Sequence, residues 1–341
     1  MYRRLSSTIV AALVSLFVLT SFVDDGEPEA FDRATLSPWI DTSDRDAVTN
    51  AYRALFSRPV PEIDWTGGHD GCRPGDSSER LRSETLLRIS FYRAMAGVPS
   101  EITEDAEMSR RAQAAALMMS AEGELTHNPD TDFACYSPDG QRAAANSNLY
   151  LGRTGPSAID GYVEDPGSAN IDVGHRSTVL HPPTRFMGVG HVAGVDGRYP
   201  SNALWVFDDE VFSDEYRTRE VDRFVAWPPR GYVPAPIVYP RWSFAIDEAD
   251  FGEADVSMTV DGRPVAVDVI ARISKDGEIP SSVIVWEPDP VDHDGNGDVT
   301  YRVTVSDVGL PAWDFAGDSA GEPETADLVE FTYDVTVITE P

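Results

Sequence analysis

Near residue 240 the hydrophobic period of the chain changes, and that change restricts the fold more than any other feature. Upstream, apolar residues recur at helical spacing. Downstream they alternate in the two-residue period of strands. Trp227 to Pro240 is dense in proline, and the stretch 211–240 is expected to be a stiff, extended connector. A chain of 341 residues therefore predicts two domains, a helix-rich one over 42–210 and an all-β one over 241–341. With 41% hydrophobic residues, both can bury a core.

In the first half, Thr42-Ser43-Asp44 offers an N-cap to a helix bearing Ala47, Val48, Ala51 and Leu55. Ser83-Glu84 opens a second helix, stopped by Gly97 and Pro99. A third covers about 104–121, with Met108, Ala112, Ala115 and Met119 on one stripe and Gly123 as its C-cap. Residues 128–156 read as turns. Ser157 with Asp160 predicts the cap of a short helix bearing Tyr162, and Gly174 to Leu180 one or two helical turns. Strand signals at 185–194 and 202–207 flank Asp196-Gly197, a hairpin turn. The order predicts an α+β layered domain. In the second half, strands at 241–246, 255–260, 263–273, 281–288, 299–305 and 329–338, with a turn at Asp261-Gly262, predict a small immunoglobulin-like sandwich.

The N-terminus reads as an export signal. Tyr2-Arg3-Arg4 precedes an uncharged run from Ser7 to Val23, intermediate in length between a secretory h-region and a membrane span. A cleaved signal over 1–23 and an uncleaved anchor are the two readings. Both place the rest of the chain outside the cytoplasm and give it no other membrane contact. Residues 24–41 form an acidic tether. Two cysteines, Cys72 and Cys135, in an exported chain predict one disulfide. Closing a loop of that length lowers unfolded-state entropy by about 4 kcal/mol. The net charge of −31 repels phosphate backbones and excludes nucleic acid as a partner. Cations or basic surfaces fit it better.

The stretch Leu125 to Pro182 holds the candidate site. His127 follows a helix C-cap in a polar loop, and His175 stands at the start of a helical turn beside Arg176. Imidazole is a common transition-metal ligand and titrates near neutrality. Asp165 ends the short helix ten positions before His175, and could share an ion with it or orient it. Asn146, Ser147 and Asn148 form a polar turn whose side chains either contact a ligand or hold the turn itself. Asp292, Asp294, Asn296 and Asp298 match the first half of a calcium loop, without the glutamate that completes one, and predict at most weak calcium binding. Nucleotide loops and the standard hydrolase and zinc-protease motifs do not occur.

The order of SFYRAMAG, LMMSAEGELTH, NSNL, YVED and GHR with a following LHP resembles the CAP superfamily of cysteine-rich secretory proteins, venom antigens and pathogenesis-related plant proteins. It is most similar to the bacterial SCP-like branch, and the resemblance covers about residues 45–207. It implies an α-β-α sandwich with a central cleft holding two histidines and two acids, which binds zinc in some members. His127 and His175 match the histidines. Asp165 stands where the family has Glu, Tyr162 where it has Trp, and Ser147 where it has the Glu of GENL. A zinc site here would use His127, His175, Asp165 and a water. The family's roles are mostly binding ones. The resemblance implies an extracellular or surface protein, more a binder than an enzyme, whose cleft takes a small ligand or an envelope partner. A hydrolase using the same cleft and a structural envelope protein are the alternatives. The β-sandwich would be an attachment or spacer module.

Overall fold

The computed structural model describes residues 40–207, 224–274, 281–290, 297–310 and 328–341. The export segment 1–23, the tether up to residue 39, the connector from 211 to 223, and Asp292, Asp294 and Asn296 lie outside the described residues.

Helix α1 (Arg45–Ala51) starts at Asp44, whose carboxylate accepts the N–H groups of Asp46 and Ala47. It continues as a π-helical turn, Tyr52–Phe56. Helix α2 (Glu79–Met95) begins earlier than Ser83-Glu84 implied, because Ser78 is the N-cap and accepts the Leu81 N–H. Strand β1 is Thr103–Glu104. Helix α3 (Ala106–Glu122) runs from an Asp105 cap to Gly123, which turns left-handed at φ 84°. The 128–156 stretch is more ordered than its turn residues suggested. It contains α4 (Pro138–Ala145), capped by Ser137, and strand β2 (Ser147–Leu151). Neither is long enough to show a period in sequence. Helix α5 (Pro156–Glu164) starts from Gly155 without a side-chain cap, and the Ser157 hydroxyl donates back to the Thr154 carbonyl. Helix α6 is Gly174–Val179, and strands β3 (Phe186–Val192) and β4 (Ser201–Trp205) follow.

These strands form one sheet in the order β1-β3-β4-β2, with β1 parallel to β3 and the other pairs antiparallel. Helix α3 lies across β3 and β4. The approach is close because Gly188 and Gly190 face the helix. A Cβ on Gly188 would stand 2.4 Å from Met108, and one on Gly190 2.3 Å from the Ala112 backbone. The intervening positions of β3 face the other way, and His191 reaches Thr85 on α2. Helices thus cover both faces of the sheet. The Cys72–Cys135 disulfide, with Cα atoms 5.1 Å apart, ties the loop before α2 to the loop before α4.

The described part of the expected connector is not a connector. Val225–Trp227 is strand β5, Gly231–Pro234 is β6, and Ala235–Ile237 is a 3-10 turn. Proline is tolerated there because Pro234 closes its strand, where a missing N–H is cheap. The remaining strands are β7 (Trp242–Ile246), β8 (Asp255–Val260), β9 (Arg263–Val265), β10 (Val267–Ile273), β11 (Ser282–Pro288), β12 (Val299–Gly309) and β13 (Leu328–Ile338). They form two sheets, β10-β11-β7-β5 and β6-β13-β12-β8-β9. Phe244 of the first packs on Phe331 and Tyr333 of the second, giving a β-sandwich core. Asp298, expected as a calcium ligand, instead receives Arg45 of α1 at 2.6 and 3.1 Å.

The contact between α3 and β3 has a direct test. Gly190→Ala pushes a methyl group into the helix backbone and is expected to lower stability by about 1–3 kcal/mol, measured by urea denaturation. An unchanged midpoint would contradict this packing.

Candidate functional site

Helix α5 ends at Asp165, where the backbone turns left-handed (φ 53°, ψ 55°). Asp165 has no exposed surface. A buried carboxylate is costly unless hydrogen bonds or a charge partner compensate for its lost hydration. Its Oδ1 accepts from His175 Nδ1 at 2.7 Å, and its Oδ2 accepts the Arg176 backbone N–H at 3.2 Å. The side chain therefore joins the end of α5 to the start of α6. Burial works to lower the His175 pKa, but the Asp165 hydrogen bond and charge, with Asp172, outweigh it and raise the pKa above the usual histidine value.

The imidazole of His175 is stacked on the Tyr162 ring, with centroids 5.6 Å apart. The Tyr162 hydroxyl reaches Asn202 Oδ1 at 2.8 Å and the Asn148 carbonyl at 3.0 Å. Asn148 donates its amide to the His175 carbonyl at 3.1 Å and accepts from the Thr178 hydroxyl at 3.0 Å. His127 Nδ1 donates to the Ala144 carbonyl at 2.8 Å. Both histidines are thus anchored to the short stretch 144–148, where α4 passes into β2. In each ring Nδ1 meets a protein acceptor, and Nε2 has no protein partner among the described residues. Between the two anchor points lies Ser147, 4% exposed, whose hydroxyl has no partner among the described residues.

Several expected site residues have other tasks. Asp165 stands behind His175, with both carboxylate oxygens engaged, and is not placed as an open ligand. Arg176 is buried rather than cleft-lining. Its guanidinium donates to the carbonyls of Val163 (2.7 Å) and Glu164 (3.2 Å) at the end of α5, and to Ser243 Oγ of β7 (3.0 Å). Burial pulls its pKa down to about 10. Asn148 holds backbone and is itself buried. Asp160 caps no helix. It receives Arg88 at 2.7 Å and the Tyr92 hydroxyl at 2.9 Å, and Tyr92 in turn meets Tyr239 at 2.7 Å. Among the described residues no group of three or more His, Cys, Asp or Glu is placed to hold a metal ion.

Sequence reading passed over His191, which lies fully buried in β3. Its Nδ1 accepts from Asn202 Nδ2 at 3.0 Å and from the Gly155 N–H at 3.2 Å, which makes the ring neutral. Burial, with the Arg82 charge, pulls its pKa down to about 3. A lone histidine inside an apolar strand is the signal that could have found it.

The family model described as CAP: Cysteine-rich secretory protein family matches residues 48–208. Together with the two helical layers around one sheet, this makes residues 48–208 a CAP-superfamily domain, and the β-sandwich lies beyond it. The family is typically extracellular. Comparison with curated proteins finds no match. Among the described residues no helix is long and apolar enough to cross a membrane.

His191 gives a pH prediction. Its folded pKa lies below the unfolded value of 6.5, so the unfolded state binds the proton first. Its stabilising contribution is complete above that value and falls as pH drops toward 3, by up to about 1.4 kcal/mol per pH unit. In NMR the His191 ring should remain neutral at about pH 4.5. A midpoint near 6.5 would contradict the buried network.

Proposed function

We propose that this protein is an exported CAP-domain protein that binds a small ligand or a macromolecular partner at or outside the cell surface, without catalysing a reaction there. The binding face carries His127 and His175. The observation that supports this most is that both rings are held through the same nitrogen, Nδ1. Each Nδ1 is committed to a protein acceptor, which leaves Nε2 as the nitrogen able to meet a ligand. The acids argue against chemistry. Ser147 occupies the position of one family glutamate, and Asp165 is spent on His175 and the Arg176 N–H. A general base needs reach to its proton as well as a suitable pKa, and neither residue offers a free carboxylate.

The donors present do not make up a zinc set by themselves. Two imidazole nitrogens would need exogenous ligands to complete a tetrahedron. Zinc is therefore best used as a probe of the two nitrogens. The net charge of −31 favours a cationic ligand or a basic partner surface. The basic Tyr2-Arg3-Arg4 flank and the apolar run to Val23 support export, by a cleaved signal or as an anchor.

One observation favours the hydrolase reading: a carboxylate oriented on Nδ1 is how catalytic bases are commonly held. Zinc titration and casein hydrolysis measured in parallel separate the two. We expect His127→Ala and His175→Ala each to weaken zinc binding by about tenfold or more, and the wild type to leave casein intact. Equal zinc affinity in all three proteins would remove the imidazoles from the site. Casein cleavage lost in His175→Ala would establish the hydrolase reading instead.

A further inference from the structure

The loop between α5 and α6 is bounded by two residues in the left-handed region, Asp165 (φ 53°) and Val173 (φ 49°). A β-branched residue rarely adopts that conformation, and one that does is held there by its surroundings. Val173 is also the residue from which α6 starts, two positions before His175.

The holding groups come from outside the CAP domain. Arg241, just before β7, donates Nη1 to the Asp165 carbonyl at 2.7 Å and to the Asn170 carbonyl at 2.8 Å. Its Nε donates to Glu287 of β11 at 3.2 Å, which fixes the guanidinium plane. Ser243 of β7 accepts from the buried guanidinium of Arg176, the residue next to His175. The Val173 side chain, fully buried, packs with Ala271, Val283 and Val285 of β10 and β11. One charged side chain just before β7, and one hydroxyl and one apolar patch on the same four-stranded sheet, thus fasten both ends of the loop and the residue beside the histidine.

We propose that the C-terminal sheet β10-β11-β7-β5 is the positioning device for His175, with Arg241 as its principal positioning residue. It holds the 165–173 loop in the conformation that turns His175 Nδ1 onto Asp165 and leaves Nε2 outward. The sandwich is then part of the binding site rather than a detachable spacer. This inference rests on the reading of His175 as a binding residue, but the contact itself can be tested without any ligand.

The test uses the whole protein and three variants, Arg241→Ala, Arg241→Lys and Ser243→Ala. Two quantities are read: amide hydrogen exchange over residues 166–176, and the ring nitrogen shifts of His175 in long-range proton–nitrogen NMR. Arg241→Ala should speed exchange in the loop by about tenfold or more, the loss of a charged hydrogen bond. It should also turn the single Nδ1–H tautomer of His175 into a mixture. The His127 ring and exchange in α3 should not change. Arg241→Lys, which keeps the charge and one donor at a time, should restore part of both signals. Should Arg241→Ala not fold, Ser243→Ala carries the test, with a smaller change in the same two readings. A folded Arg241→Ala or Ser243→Ala protein with wild-type exchange and wild-type His175 shifts would overturn the proposal. Neither reading involves zinc, so a failed zinc titration would count against the binding role and leave this inference standing.

Discussion

A carboxylate with no exposed surface is costly unless its oxygens find hydrogen-bond donors, and much of the candidate site follows from how Asp165 meets that demand. One oxygen takes His175 Nδ1, and the other takes the Arg176 N–H. The arrangement forces α6 to start beside the end of α5. Arg176 must then be buried as well, and it spends its donors on the last carbonyls of α5 and on Ser243. The acid thereby fixes the ring plane and tautomer of His175 without meeting solvent.

The layers around the junction are set by a second constraint. Gly188 and Gly190 let α3 lie directly on β3, while the opposite face of that strand carries His191 into contact with α2. The α4–β2 junction at the edge of this sheet anchors both histidines, His127 through Ala144 and His175 through Asn148. Ser147 is buried between those anchors with its hydroxyl unpaired among the described residues. An unpaired buried hydroxyl costs about 1–3 kcal/mol, a cost that a bound water or ligand oxygen would remove.

Much of this was legible in sequence. Helix α3 was readable because its small-residue stripe and Gly123 signal agree, and β7, β8, β11, β12 and β13 because their residues alternate; the single strand expected over 263–273 is two, β9 and β10. The disulfide followed from the cysteine count and the expectation of export. The two histidines and Asp165 were picked out from motif order, and Asp165 was left with two readings, sharing an ion with His175 or orienting it; the structure has it on His175 Nδ1. Whether an aspartate faces an ion or the back of a histidine depends on a left-handed turn that no local pattern announces. Helix α4 and strand β2 were hidden by turn-forming residues that serve as caps, and β5 and β6 by prolines lying at or beside strand ends. Arg241 and Ser243 were out of reach because they act on residues 76 and 67 positions away.

The central claim is that both histidines are fixed from behind and present Nε2. It is tested most directly by the ring tautomers of the wild-type protein, read by long-range proton–nitrogen NMR at about pH 9, above the histidine titration range. The account predicts that His127 and His175 each carry the proton on Nδ1, with Nε2 unprotonated. A proton on Nε2 of either ring, or a mixture of tautomers in either, would contradict it.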